Sequence, residues 1–161
     1  NPSGVKALLE YMKISSNLNK RLPGIFDGHS LPSDYYGAYA LIKLFSSYNG
    51  PTVRIKRTND NYETDIYFDK DGNVYYIENE YTIDLITWLN GQNATITTWY
   101  DQSNNNKHLI ETDENKQPIL KLNSNSNTFG NKIGVYFNGT QNKKLSVSNF
   151  NNTSIYNYYM Q

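Results

Sequence analysis

The strongest constraint on the fold is a series of short apolar stretches separated by turn residues. In residues 53–57, Val53, Ile55 and Arg57 alternate with Arg54 and Lys56, a period of two that predicts a strand with one wet face. Residues 58–61 read Thr-Asn-Asp-Asn, a turn, and residues 64–68 predict a second strand. Residues 52–68 therefore predict a β-hairpin.

The same kind of pattern continues along the chain. Further strands are predicted at residues 73–77, 94–100, 119–122, 133–137 and 145–147, with turns at 69–72, 90–91 and 138–139. Two helices are predicted at 36–45 and 82–89, the second with Ile83, Ile86 and Leu89 on its apolar side. Many short strands with few helices indicate a mainly β protein, a β-sandwich carrying two or three short helices.

The first 33 residues differ from the rest. Val5, Leu8, Leu9 and Met12 have the spacing of one short amphipathic helix, which a Leu-Pro-Gly sequence at residues 22–24 then ends. We expect residues 1–33 to form a helical arm or a linker, and residues 34–161 to form the sandwich domain. Because residues 155–160 are apolar and aromatic, we expect the sandwich to continue beyond residue 161 or into another chain.

The composition excludes several classes of protein. The 15 basic and 15 acidic residues give a net charge of zero, whereas a nucleic-acid binder carries a basic stripe. The absence of cysteine excludes a disulfide scaffold, a thiolate zinc site and a cysteine nucleophile. No apolar run reaches the roughly 18 residues that span a bilayer. We expect the partners to be other protein subunits or the remainder of a longer chain, with no nucleic acid and no membrane span.

No motif identifies a metal or a cofactor. His29 and His108 are isolated in predicted loops, away from any spacing typical of metal ligands. Asp69, Asp71 and Asn73 alternate like the start of a calcium loop, but Gly72 precedes the third position, so a plain turn is the favoured interpretation. We expect no catalytic residue, no metal site and no cofactor in this sequence.

Carboxylates bear on function because glycoside hydrolysis requires two of them facing each other. The candidates are Glu63, Asp65, Asp84, Asp101, Glu111, Asp113 and Glu114. Glu63 and Asp65 share one face of a predicted strand. We interpret them as a solvated row that pairs with Arg54, Lys56 and Arg57 on the partner strand.

The most distinctive segment is Thr-Thr-Trp-Tyr-Asp-Gln-Ser-Asn at residues 97–104. Aromatic rings stack on sugar C–H groups, and amides and carboxylates bond sugar hydroxyls. The candidate carbohydrate-binding residues are Trp99, Tyr100, Asp101, Gln102 and Asn104. In the alternative interpretation, one of the two aromatic side chains fills the core and Asp101 caps the turn.

Six blocks of the sequence carry a resemblance to a known family. Residues 36–44, 46–51, 53–57, 60–61, 63–66 and 97–103, in this order, resemble the N-terminal part of the α-L-arabinofuranosidase B catalytic domain. Residues 135–139 and 145–147 are similar to strands of laminin-G and concanavalin-like lectin domains. Both resemblances imply a concanavalin A-like jelly-roll sandwich.

What the resemblance implies about activity is narrower. In those enzymes the nucleophile and the acid/base carboxylate lie further along the domain than this sequence extends, so the matching region is expected to be scaffold. Asn104 stands where the family usually has glycine, and asparagine tolerates the left-handed conformation. Such sandwiches sometimes bind calcium, but no ligand set here identifies a site.

Two functions remain open. We expect a noncatalytic, lectin-like module of a larger surface or virus-particle protein, located outside the cell or on a virion. It would bind glycans or pack as a capsid or fibre component. The alternative is the N-terminal half of an arabinofuranosidase-like glycoside hydrolase.

Overall fold

Seven antiparallel strands form one sheet in the computed structural model, which describes residues 23–28, 36–77, 85–122 and 133–147. The strands are β1 (Val53–Arg57), β2 (Glu63–Phe68), β3 (Val74–Ile77), β4 (Ala94–Trp99), β5 (Leu109–Ile110), β6 (Ile119–Lys121) and β7 (Gly134–Tyr136). One α-helix, α1 (Leu85–Leu89), and one 3-10 turn (Gly139–Gln141) accompany them. The mainly β class predicted from the sequence is confirmed.

The strand order is β3-β2-β1-β4-β6-β7. Strand β5 also pairs with β4, so β5 and β6 share one edge of that strand. β5 lies opposite Thr98 and Trp99, whereas β6 lies opposite Ala94 and Thr95. An antiparallel sheet of this kind, with one apolar face and few helices, is the sheet of a β-sandwich.

The predicted hairpin is confirmed, with Arg54 opposite Asp65 and Ile55 opposite Thr64. The strands predicted near residues 73–77, 94–100, 119–122 and 133–137 are also present, within two residues at each end. Two predictions differ from the structure. Strand β5 was not predicted because two residues show no periodicity, and residues 145–147 contribute only a bridge between Ser146 and Ile110.

The core covers one face of the sheet. Val53, Ile55, Ile66 and Ile96 are fully buried, and their cross-strand pairing places them on the same side. The core cluster consists of Val53, Ile55, Ile66, Phe68, Ile77, Leu85, Trp88, Leu89, Ala94, Ile96 and Leu120. Helix α1 therefore packs on this apolar face.

The predicted apolar side of the second helix is wrong. Ile86 is 70% exposed, and the buried residues of α1 are Leu85, Trp88 and Leu89. These three also have helical i, i+3, i+4 spacing, and burying the large indole removes more apolar area from water. Ile83 lies outside the described residues. The predicted stop is confirmed, because Asn90 and Gly91 both have positive φ.

The helix predicted over residues 36–45 is absent. The segment has no regular secondary structure, and its backbone groups bond distant partners instead of one another. Lys43 N–H donates to the Asp69 carbonyl at 2.9 Å, and the Ala38 carbonyl accepts from Gln102 N–H at 2.8 Å. The apolar spacing suited a helix, but these long-range bonds satisfy the backbone in another way.

Residues 23–28 dock beside this segment. Ile25 N–H and Phe26 N–H donate to the carbonyls of Lys43 and Leu44 at 3.1 and 2.8 Å. A Cβ at Gly24 would lie 2.4 Å from Phe45 Cα, so only glycine fits there. The helix predicted near residues 5–12 lies outside the described residues, so the arm stays a prediction. None of the helices within the described ranges is long and apolar enough to cross a membrane.

Candidate carbohydrate-binding site

The sheet face opposite the core is polar where β1 lies between β2 and β4. Arg54 lies opposite Asp65 of β2 on one side and Thr98 of β4 on the other. Tyr67 and Tyr100 lie two positions beyond Asp65 and Thr98, which places them on the same side of the sheet. We call this set (Arg54, Asp65, Tyr67, Thr98 and Tyr100) the polar face.

An ion pair with a tyrosine partner forms the centre of the polar face. Arg54 donates from Nε and Nη2 to the two carboxylate oxygens of Asp65, at 2.9 and 2.7 Å. The Tyr100 hydroxyl donates to Asp65 Oδ1 at 2.8 Å. The predicted cross-strand pairing of Asp65 is confirmed, but the predicted solvation is wrong, because Asp65 is buried while the Arg54 side chain is 43% exposed. These two parallel hydrogen bonds hold the exposed Arg54 guanidinium in one orientation.

The electrostatics keep the tyrosines of this region neutral and Arg54 charged. Burial raises the pKa of Tyr100, and its hydrogen bond to Asp65 raises that pKa further. Burial also raises the pKa of Tyr48, as do the nearby Tyr67, Asp101 and Asp65. The hydrogen bond to Asp65 raises the pKa of Arg54. At neutral pH the polar face therefore offers hydroxyl groups and one fixed cation.

A second ion pair lies further along the same sheet face. Lys56, largely buried, contacts the exposed Glu114. Thr95 Oγ1 donates to Gln117 Oε1 at 2.7 Å, and Gln117 Nε2 donates to the Glu111 carbonyl at 3.0 Å. These bonds hold the loop between β5 and β6 against β4. Because Arg54 and Lys56 each face a carboxylate, the face suits a neutral ligand better than an anion.

Asp101 is almost fully buried and its carboxylate is occupied by backbone donors. Oδ1 accepts N–H groups of Ala38 and Ser103, both at 2.8 Å, and Oδ2 accepts Lys107 N–H at 3.1 Å. Burial disfavours ionisation, but the hydrogen bonds from Ser103, Ala38 and Lys107 together outweigh it and lower the pKa of Asp101. The bond to Ser103 caps the turn after β4.

Gln102, equally buried, bonds the backbone of the segment that was predicted to be a helix. Its Oε1 accepts Leu44 N–H at 2.9 Å, and its Nε2 donates to the carbonyls of Ile42 and Ala40 at 2.8 and 3.3 Å. The side chain therefore supplies the donors and the acceptor that a neighbouring strand would supply. We call Asp101 and Gln102 the clamp.

The remaining residues of the 97–104 segment face different environments. Trp99 packs against the core, with Nε1 donating to the Ala40 carbonyl at 3.3 Å, and Tyr100 points to the polar face. The His108 ring meets Tyr100 edge-on at 5.1 Å, and its Nδ1 accepts Asp101 N–H at 3.1 Å. Asn104 is exposed with φ 69°, which confirms the expected left-handed turn.

The five candidate sugar-binding residues are thus adjacent in sequence but divided in space. Tyr100 and Asn104 are partly or fully open to a ligand, Trp99 lies on the core side, and the clamp is buried. Their role in carbohydrate binding stays a prediction. Sequence reasoning missed Tyr67 and Tyr48 as neighbours of this site. The hairpin register could have placed Tyr67 beside Asp65, but no local pattern marks Tyr48.

The calcium-like sequence at residues 69–73 forms a turn. Asp69 Oδ1 accepts the N–H groups of Asp71 and Asn73 at 2.9 and 2.8 Å, and Oδ2 accepts Asn73 Nδ2 at 2.9 Å. Across the part of the chain that the structure describes, no three His, Asp or Glu side chains are grouped to hold a metal ion. His29 and Asp84 lie outside that part.

The fold is the sheet of a β-sandwich, and the sequence comparison indicates a glycoside-hydrolase-like origin. Residues 33–157 match the family model of alpha-L-arabinofuranosidase B, catalytic. The chain belongs to this family, which confirms the resemblance and extends it to 33–157. No curated protein and no solved structure matches the chain.

Proposed function

We propose that this domain binds carbohydrate on the polar face without cleaving it. The observation that carries the proposal is the Arg54–Asp65–Tyr100 arrangement, exposed at Arg54, in a chain of the arabinofuranosidase B family. Guanidinium N–H groups donate to sugar hydroxyls, tyrosine hydroxyls donate and accept, and tyrosine rings contact sugar C–H groups. α-L-Arabinofuranosides are the ligand class that the family suggests.

The state of the carboxylates supports binding over cleavage. A glycoside hydrolase requires one carboxyl group that donates a proton and a second that attacks or activates water. Asp65 is held by Arg54 and Tyr100, and Asp101 is held by three backbone N–H groups with a lowered pKa. Asp101, which these hydrogen bonds hold in its ionised form, is a poor proton donor. Asp65 accepts the hydrogen bonds of Arg54 and Tyr100 and so orients both side chains.

The test combines binding with hydrolysis on the same chain. Linear 1,5-linked arabino-oligosaccharides are titrated by calorimetry, and 4-nitrophenyl α-L-arabinofuranoside is tested for release of nitrophenol. We expect saturable binding that is weakened in Arg54→Lys and Tyr100→Phe and unchanged in Lys70→Ala, a change in an exposed turn. Absence of binding would overturn the proposal. So would hydrolysis that is abolished by Asp65→Asn or Asp101→Asn.

A second candidate function is supported by the family match, whose description is that of a catalytic domain. In that case the polar face is one part of an arabinofuranosidase active site, and carboxylates outside the described residues supply the chemistry. Nitrophenol release that survives both Asp65→Asn and Asp101→Asn would favour it.

A further inference from the structure

We propose that the polar face is one end of an extended binding strip that reaches Tyr36 and accepts an oligosaccharide rather than a single sugar. This inference rests on the proposed function. It adds a second aromatic subsite, outside the segment 97–104 that drew attention in the sequence.

A continuous series of contacts joins the two ends of the strip. Asp65 bonds Tyr100, and the Tyr100 ring meets His108 at 5.1 Å. His108 follows Lys107 in the chain, and the Lys107 ammonium lies 5.4 Å from the centroid of the Tyr36 ring. Tyr36 is 39% exposed. The loop after β4 therefore carries the surface from the polar face to a second tyrosine.

The Tyr36 end is held in place by bonds between two segments. Asn105 Nδ2 donates to the Tyr36 carbonyl at 3.3 Å, and the Tyr39 hydroxyl donates to the Lys107 carbonyl. Asp101 bonds Ala38 N–H and Lys107 N–H, and so ties both segments to the clamp. A ligand meeting Tyr36 thus meets a surface that is already ordered, which lowers the entropic cost of binding.

Polar groups suited to hydroxyls flank Asn105, the residue that bonds the Tyr36 carbonyl. Asn104 and Asn106 are exposed, and both have positive φ, 69° and 56°. Each amide offers two N–H donors and a carbonyl acceptor. An aromatic ring with neighbouring amides is complementary to a neutral sugar. Because Arg54 and Lys56 are paired with carboxylates, acidic sugars gain less from the other end of the strip.

The test uses a graded series of ligands, from L-arabinose to linear arabinohexaose, on the full chain. We expect affinity to increase with length, and Tyr36→Ala to weaken binding of the hexaose about threefold to tenfold, the size of one aromatic contact. L-Arabinose affinity should not change. The matched control is Tyr62→Ala, since Tyr62 is 44% exposed with the Arg57 guanidinium 5.2 Å from its ring, and it lies beside Trp88 of helix α1 rather than on the polar face.

Other outcomes separate the two proposals. Binding that is independent of length, or hexaose binding weakened equally in both tyrosine variants, would overturn the strip and leave the proposed function standing. Failure of every ligand to bind would overturn the proposed function and the strip together. Should Tyr36→Ala not fold, NMR titration of the unaltered protein decides the matter: hexaose must shift the Tyr36 ring signals, and unshifted signals overturn the strip.

Discussion

The side chain of Gln102 bonds the backbone of Leu44, which lies 58 residues earlier in the chain. The same side chain donates to the Ile42 carbonyl, so one amide joins the loop after β4 to the segment of residues 36–45. The segment 97–104 looks like a ligand site in the sequence. In the structure, Asp101 and Gln102 of this segment form the clamp, and their hydrogen bonds hold the neighbouring exposed residues in place.

The clamp predicts a large and pH-dependent effect of Gln102→Glu. The new oxygen would face the carbonyls of Ile42 and Ala40, and we expect the free energy of unfolding to fall by about 3 kcal/mol at neutral pH. Only the protonated acid can donate there, so the fold raises the pKa of the introduced carboxyl group. Below about pH 4.3, the pKa of glutamic acid in the unfolded chain, the introduced carboxyl group is protonated in both states and causes no pH-dependent loss of stability. The loss grows as the pH rises above that value.

Urea unfolding at pH 7 and near pH 4 measures this effect, referenced to the wild type at each pH. Gln141→Glu, at an exposed position, is the control and should change stability by less than about 0.5 kcal/mol. Equal effects of the two substitutions would contradict the role of Gln102 as a clamp.

The Arg54–Asp65 pair predicts an asymmetric double-mutant cycle. Arg54→Ala leaves a buried charge without its bidentate partner, whereas Asp65→Ala leaves a guanidinium that water can reach and the neutral Tyr100 hydroxyl without its acceptor. We expect Arg54→Ala to cost about 2 kcal/mol, a figure discounted for the exposure of Arg54, and Asp65→Ala to cost less. The double variant should cost less than the sum of the two.

Denaturant unfolding of the wild type, the two single variants and the double variant gives the coupling energy between Arg54 and Asp65. The exposed Lys70–Asp71 pair is the control, with an expected coupling below about 0.5 kcal/mol. A coupling in the Arg54–Asp65 cycle as small as that of the control would show that the buried pair contributes nothing specific.

The protein should lose stability at alkaline pH because the pKa of three tyrosines is raised in the folded state. Burial raises the pKa of Tyr39, Tyr48 and Tyr100 above the unfolded value of about 10. Below that pH the three tyrosines keep their protons in both the folded and the unfolded state, so they make no contribution to the pH dependence of stability. Above it the unfolded chain loses protons that the folded chain retains, and each tyrosine lowers stability by about 1.4 kcal/mol per pH unit.

Tyrosinate absorbance and unfolding curves recorded over the same pH range provide the measurement. Some tyrosines should resist ionisation until the protein unfolds, and Tyr100→Phe should reduce the pH dependence of stability by the contribution of one proton. Titration of every tyrosine near pH 10 in an intact fold would contradict the prediction.

Helix α1 predicts opposite outcomes at two neighbouring apolar positions. Leu89→Ala should lower the free energy of unfolding by about 3 kcal/mol, because Leu89 is buried in the core. Ile86→Ala should change it by less than about 0.5 kcal/mol, because Ile86 is mostly exposed. Thermal and denaturant unfolding of both variants checks the order, and a larger loss at Ile86 would mean that the helix buries its other side.

Much of the sheet could be predicted because its signals are local. The strand pattern of residues 53–57 and the following turn were enough to predict the hairpin and the pairing of its acidic and basic side chains. The resemblance, together with the tolerance of asparagine for positive φ, predicted the left-handed turn at Asn104. Strand alternation likewise predicted that Trp99 and Tyr100 would face opposite sides of β4. Each of these properties depends on neighbours within a few residues.

The site was harder to predict because burial depends on distant residues. The pattern of residues 36–45 fits an amphipathic helix, and nothing nearby reveals that Gln102 will bond Leu44 and Ile42. For the same reason Asp101 resembled a ligand group, although its oxygens are taken by Ala38, Ser103 and Lys107.

The sequence by itself determined the mainly β class, the hairpin, the turns and the membership in the arabinofuranosidase B family. Those properties follow from side-chain period and turn chemistry, which act over short distances along the chain. Only the tertiary structure decided that Asp65 is buried beneath Arg54, that the clamp holds residues 38–44, and which side of α1 packs inward. Buried backbone polar groups need hydrogen-bond partners. Here the partners of residues 38 and 44 are side chains about 60 residues away in the sequence, which only the folded chain brings close.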